Sequence, residues 1–181
     1  MSIKKLGYML LVDDSANDVA LAKRALERQK LVNEIVTLRD GAEALDFLFC
    51  RGSFSAREKR LPLFVLLDIK MPKVDGIEVL RIIKSDPGLR LIPVVMMTSS
   101  RQPLDIEECY RLNANAFVVK PVDFDQLVEV VTNIGKFWAV INEAPPLARS
   151  TDKASAGPLD RRTSDQTDDP KGEMWVDPGH V

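Results

Sequence analysis

Histidine is almost missing from this chain of 181 residues, which also has only two cysteines, two tryptophans and two tyrosines. Each scarcity closes a route. The one histidine, His180, sits beside the C-terminus in a stretch without apolar periodicity, so it is not read as a catalytic base. Cys50 and Cys109 fall in separate segments without metal-ligand spacing. That pattern excludes a disulfide framework and suits a reducing compartment, with the cytoplasm as the simplest expectation. No stretch reaches the roughly 18 apolar residues of a membrane span, so neither insertion nor secretion is expected. A basic surplus is missing too. Lysine and arginine number 25 against 27 acidic residues, and the charges cancel up to Ala144, so a nucleic-acid partner is not expected.

What the chain does have is a series of apolar, strand-like runs that end in chemically active residues. Leu63 to Leu67 runs into Asp68, which is followed by Ile69-Lys70-Met71-Pro72-Lys73-Val74-Asp75-Gly76. Tyr8 to Val12 delivers Asp13-Asp14, Ile92 to Met97 delivers Thr98-Ser99-Ser100, and Ala116 to Val119 delivers Lys120-Pro121. Between the runs, helical patterns recur. Ser15 is placed to cap a helix carrying Val19, Ala22, Ala25 and Leu26 at helical spacing, with Asp18 favourably placed in its first turn. Glu34 to Leu38 reads as a strand, and Gly41 to Phe49 as a helix with Ala42, Ala44, Leu45 and Leu48 inward. Cys50 to Pro62 is longer than most connections and reads as a solvated loop, with a partner contact as the alternative.

A helix from about Gly76 to Lys84 follows the Asp68 strand, and Pro87-Gly88 then breaks the chain. After Lys120-Pro121, Asp123 and Gln126 make a capping-box-like start to a long helix. Its apolar stripe comprises Leu127, Val130, Val131, Ile134, Trp138 and Ile141. Five strand–helix repeats, with strands apolar enough to be covered on both faces, predict an α/β fold: a doubly wound parallel sheet of five strands with helices on either side. Ligands of such sheets bind beyond the carboxyl ends of the strands, the edge where the candidate residues lie. Pro145-Pro146 ends the last helix, and the polar composition beyond it predicts one domain over 1–144 and a disordered tail over 145–181. Met174-Trp175-Val176 in that tail reads as a contact-free end, with a short docking motif as the alternative.

Asp13, Asp14 and Asp68 brought together would repel one another, so one should hold its proton more tightly unless a cation neutralises the group. Magnesium suits hard oxygen ligands and needs only one or two carboxylates. A carboxylate can attack a phosphoryl group to form an acyl phosphate if the equatorial oxygens are neutralised, for which Lys120, Thr98 and the metal are the candidates. Singly, each feature has an ordinary structural explanation, since an Asp after a strand often caps a helix and Lys-Pro often ends a strand. Four in register along one edge point to phosphoryl transfer.

These residues resemble the signature of response-regulator receiver domains of two-component signalling. Asp13-Asp14, Asp68 with Met71-Pro72 and Asp75-Gly76, Thr98-Ser99, and Phe117 three residues before Lys120-Pro121 appear in family order from roughly Lys5 to Asn142. The resemblance implies a flavodoxin-like strand order of 2-1-3-4-5. It also implies that Asp68 accepts a phosphoryl group from a phosphohistidine on a sensor histidine kinase, with magnesium held by Asp13, Asp14, Asp68 and the Lys70 carbonyl. By the same likeness Thr98 and Phe117 are the switch residues, and the Lys120–Pro121 bond is expected to be cis. Such a protein catalyses only its own phosphoryl transfer and autodephosphorylation. Lys70 departs from a pattern that varies among relatives, and it is expected to alter the lifetime of the acyl phosphate.

The roughly 37 residues after the domain are too few and too polar for a DNA-binding output domain, so signalling through protein contacts is expected. The long second-helix loop, Val122-Asp123-Phe124 and the ending from Phe137-Trp138 to Asn142-Glu143 resemble the stand-alone regulators that partner bacterial phytochrome kinases. Phe124, Val128, Phe137, Trp138 and Val140 exceed one core-facing stripe, which predicts a homodimer face. Three alternatives differ in class or direction. A phosphorelay intermediate has the same pocket, a binding module would work without phosphorylation, and a haloacid-dehalogenase-type phosphatase would need an Asp where Lys70 stands.

Overall fold

The computed structural model describes residues 7–29, 34–99 and 101–143. Five strands, β1 (Tyr8–Val12), β2 (Glu34–Leu38), β3 (Val65–Leu67), β4 (Val94–Thr98) and β5 (Ala116–Val119), form one parallel sheet in the order 2-1-3-4-5. Between and after them run α1 (Ala16–Gln29), α2 (Gly41–Leu48), α3 (Gly76–Ser85), α4 (Pro103–Arg111) and α5 (Phe124–Lys136). The expected alternation and strand order are therefore present, with α4 supplying the helix whose bounds sequence pattern had left open.

Alternate residues of the central strands divide the core in two, as the period-2 geometry of a strand requires. Leu10, Val12, Val65, Leu67, Val94 and Met96 pack on one face with Ala44 and Leu48 of α2, Val79, Leu80 and Ile83 of α3, and Cys109 of α4. Met9, Leu11, Leu66, Val95 and Met97 pack on the other with Ala22, Ala25 and Leu26 of α1 and Leu127 and Val131 of α5. Side chains buried on both sides hold β1, β3 and β4 rigidly, so residues just past their ends have fixed positions.

The structure departs from the sequence expectations in three places. β3 is shorter than the apolar run that announces it, although Leu63 and Phe64 already bond to β1, the Leu63 N–H donating to the Tyr8 carbonyl at 2.8 Å and the Leu10 N–H to the Phe64 carbonyl at 3.1 Å. The connection from Cys50 to Pro62 is more than a solvated loop. It contains a 3-10 turn, Gly52–Phe54, and is gathered by Arg57, whose Nε and Nη2 donate to the Phe47 carbonyl at 3.3 and 3.1 Å. The Arg57 guanidinium lies 4.0 Å from the Phe47 ring centroid, and the Tyr8 hydroxyl donates to the Arg60 carbonyl at 2.6 Å.

The third departure is Ile141, expected inward on the stripe of the last helix but 68% exposed. α5 gives way at Phe137–Ile141 to a π turn, closed by the Asn142 N–H on the Phe137 carbonyl at 2.7 Å. The wider turn rotates less per residue and so sets the register back, and a residue placed inward by 3.6-residue periodicity falls on the solvent side. The tail expected over 145–181, with Met174 to Val176, lies outside the described residues. Among the described residues no helix is long and apolar enough to cross a membrane.

Candidate functional site

Parallel ladders continue one residue beyond several strands, and this places the chemistry. The Asp68 N–H donates to the Val12 carbonyl at 2.9 Å, the Asp13 N–H to Leu38 at 3.1 Å, and the Lys120 N–H to Thr98 at 2.7 Å. Asp13, Asp68, Thr98 and Lys120 thereby come to one edge of the sheet, although 107 residues separate Asp13 from Lys120. Asp13 and Asp68 are buried, Thr98 is fully buried, and Asp14 is exposed.

Asp13, Asp14 and Asp68 each offer one carboxylate oxygen, all within 4.8 Å of one another. Lys120 Nζ donates to Asp13 Oδ2 at 2.7 Å and lies 3.5 Å from Asp68 Oδ2. The other oxygens are steadied by backbone, Asp13 Oδ1 by the Ser15 N–H at 3.0 Å and Asp68 Oδ1 by the Ile69 N–H at 2.9 Å. Burial pushes the Asp68 carboxyl up to about 6, opposed by the charge of Lys120 and reinforced by that of Asp13. Burial also raises Asp13 against the pull of Lys120. Burial works against the Lys120 ammonium, but its contacts with Asp13, Asp18 and Asp68 prevail and push it up to about 12. Three hard carboxylate oxygens around one point, with a deficit of positive charge, fit a hard divalent cation. A cleft of about 350 Å³ lined by Asp13, Asp14, Lys23 and Arg39 opens beside them.

The loops feeding this edge are capped by Asp-Gly pairs. Asp75 accepts the Glu78 N–H at the start of α3, and Asp40 accepts the Glu43 N–H at the start of α2. Asp40 also pairs with Lys73 at 2.6 Å, tying the loop after Asp68 to the loop after β2. Lys73 has a φ of 64°, a left-handed backbone that a lysine rarely adopts. Lys70 lies in the same loop with its side chain in solvent.

Phe117 is half-buried in β5, opposite Met96 in register, and packs against the α3–α4 side of the core. The expected dimer-face residues differ in exposure, although the Phe137 and Trp138 rings meet edge to face with centroids 5.0 Å apart. Val128 and Trp138 are half-buried against the α1 side of the core, whereas Phe137 is 47% exposed and stands beside the similarly exposed Val140 and Ile141. The Phe124 side chain lies outside what the structure describes. Sequence reasoning missed Asp18 as a partner of Lys120, at 2.9 Å, and the Asp40–Lys73 pair. A signal for Asp18 existed: it sits in the first turn of the helix that begins at this edge.

The family profile described as Response regulator receiver domain matches residues 9–132. The response regulator Rcp1 of Synechocystis sp. is 37% identical over 130 residues, covering 72% of this chain and 87% of that protein. Its Mn(2+)-bound crystal structure superposes with a TM-score of 0.73 at 35% identity, over 77% of this chain and 99% of that one. The phosphorylated cyanobacterial phytochrome response regulator RcpA gives a TM-score of 0.73 at 37% identity, over 78% and 99%. The bacteriophytochrome response regulator RtBRR is 52% identical with a TM-score of 0.63, over 78% and 85%. A profile spanning most of the chain, on a sheet wound 2-1-3-4-5 with its acidic cluster at the carboxyl edge, leaves one conclusion: this chain belongs to the response regulator receiver domain family.

Proposed function

We propose that Asp68 is the phosphoryl acceptor of a two-component response regulator, charged by a sensor histidine kinase in a magnesium-dependent reaction. The observation that carries this reading is the pairing of Asp68 Oδ2 with Lys120 Nζ at 3.5 Å, inside a cluster of carboxylates at a strand edge. Asp68 Oδ2 attacks phosphorus, an O–P bond forms, and the P–N bond of the phosphohistidine breaks with its electron pair remaining on the imidazole nitrogen. Lys120 and the Thr98 hydroxyl bind the transferred oxygens. Asp13, Asp14, Asp68 and the Lys70 carbonyl hold Mg2+, which when bound supplies positive charge to offset the repulsion of the carboxylates and of the entering phosphoryl group. Water later attacks phosphorus and returns Asp68 to its carboxylate, which is autodephosphorylation.

The signal passes through Thr98 at the end of β4 and Phe117 in the neighbouring β5, two register positions away, which packs on the α3–α4 side of the core. Output is by protein contact in the cytoplasm, from a domain over 1–144. A second copy is bound through Phe124, Val128, Phe137 and Trp138, with Phe137 the most exposed of those whose side chains are described. Likeness to RcpA and RtBRR supports a bacteriophytochrome as the kinase.

Intact mass after incubation with Mg2+ and acetyl phosphate tests the acceptor. One added phosphoryl group on the wild type, absent from Asp68→Asn and without Mg2+, is the expected result. Labelling of Asp68→Asn, or none in wild type when a kinase is also supplied, would refute it. Sedimentation at tens of micromolar reads the dimer, and a monomer with and without phosphorylation would remove that part.

A further inference from the structure

Lys120 serves three carboxylates, and the one that the phosphoryl chemistry requires is the most distant. Its Nζ is 2.7 Å from Asp13 Oδ2, 2.9 Å from Asp18 Oδ2 and 3.5 Å from Asp68 Oδ2. An ammonium has three donors and no acceptor, enough for one to each carboxylate, so its position rather than its donor count is shared, and it stands nearer Asp18 than Asp68. Asp18 belongs to α1, where its own N–H is placed on Ser15 Oγ at 3.3 Å, so its position is set by the helix start rather than by the strand edge. Its side chain is 30% exposed, against 9% for Lys120 and 1% for Asp13, so it reaches the buried ammonium from the rim of the site.

A divalent cation and the Lys120 ammonium draw on the same carboxylates. Asp13 and Asp68 are both in the acidic triad and both neighbours of Nζ. A fourth carboxylate outside the triad changes that balance, because it gives the ammonium a partner that the cation does not need. We propose that Asp18 is a positioning residue that draws Lys120 towards α1, keeping Asp68 and part of Asp13 available to the divalent cation and the entering phosphoryl group. The inference rests on the proposed function only in taking the triad as the cation site.

Without the Asp18 charge, the ammonium moves onto Asp13 and Asp68 and opposes the cation there. The direct field of Asp18 on the cation would also weaken binding when removed, so the single substitution does not separate the two causes. A double-mutant cycle does, because an effect transmitted by Lys120 disappears when the ammonium is gone.

The experiment measures Mg2+ affinity of the full chain by isothermal titration calorimetry for wild type, Asp18→Asn, Asp18→Glu, and Asp18→Asn in both Lys120→Met and Lys120→Gln backgrounds, each with its parent. The Kd is expected to rise about threefold or more in Asp18→Asn, to recover in Asp18→Glu, and to rise distinctly less with Asp18→Asn where Lys120 is replaced, since only the direct field then remains. Circular dichroism establishes that each variant is folded, and either background suffices. An unchanged Kd in Asp18→Asn, or the same loss with and without the ammonium, would overturn the inference while leaving Asp68 as acceptor intact. Failure of wild type to bind Mg2+ at all would overturn the cation site and this inference with it.

Discussion

Gly76 lies so close to Asp68 that a Cβ built on it would sit 2.0 Å from the Asp68 carbonyl oxygen. The glycine N–H also donates to the Ile69 carbonyl at 2.8 Å, so the first residue of α3 is clamped against the backbone that carries Asp68. The requirement comes from close approach of two backbones rather than from an unusual φ. Gly76→Ala should therefore cost on the order of 2–4 kcal/mol and displace the Asp68 backbone. Urea unfolding and the stoichiometry of acetyl phosphate labelling would read both effects, and a stable, fully labelled variant would contradict the clamp.

Burial lifts the Asp68 carboxyl from its ordinary 3.8 to about 6, which sets a pH dependence of stability. Between those values the folded state holds the extra proton, so stability falls as pH rises, and above about 6 the ionised group is a net cost. Without divalent cation, Asp68→Asn should exceed wild type by roughly 2 kcal/mol at neutral pH, with the gain vanishing near pH 4. Added Mg2+ should narrow the gap by stabilising wild type alone. Denaturation curves in chelator across this range, showing a gain independent of pH, would count against it.

Lys84 obeys the opposite sign. Its Nζ donates to the Ile92 carbonyl at 2.8 Å and to Asn115 Oδ1 at 2.9 Å, joining the end of α3 to the starts of β4 and β5. Burial without a carboxylate among these partners pulls it from 10.5 down to about 8. From about 8 to 10.5 the unfolded chain binds more protons, so wild type gains stability as pH rises through that window and loses it as pH falls. The stability of wild type relative to Lys84→Met should climb across it, and parallel pH profiles for the two proteins would refute this.

Arg57 organises the connection after α2 through carbonyl hydrogen bonds and the face of Phe47. Arg57→Met should cost about 1–2 kcal/mol and speed amide exchange across residues 50–62. The knot is next to Tyr8, at the other end of β1 from Asp13, so labelling of Asp68 should be unaffected. Unchanged exchange would show the loop to be held by something else.

The exposed Lys70 side chain stands two residues after Asp68, the proposed acceptor. Lys70→Ala is expected to change the dephosphorylation rate after the donor is removed, by several-fold if its cation acts on the path of the hydrolytic water. Equal rates would dispose of that role.

Strand ends were legible in the sequence because each is local: an apolar run sets the strand, and the residue after it is carried to the sheet edge. Asp13, Asp68, Thr98 and Lys120 are thus identifiable from the sequence, and the helices after Asp13, Asp68 and Lys120 follow from capping residues and periodicity, whereas α4 after Thr98 does not. The strand order did not come from periodicity, which does not say which strands are neighbours, but from resemblance to a family whose order the structure shares.

Where a residue's role depends on a partner remote in sequence, only the folded chain decides it. Asp18 and Lys120 are 102 residues apart, and Asp40 and Lys73 are 33 apart, so no spacing rule links them. Tyr8 and Arg60 meet only because β1 lies beside β3 and the loop folds back over its start. Ile141 shows the converse, since its inward place followed from regular helical periodicity until one π turn altered the register. Local preference acts over a few residues, and these contacts depend on sheet order, close approach and burial. The amino-acid sequence by itself determined which groups reach the edge of the sheet, and the tertiary structure determined which of them Lys120 holds.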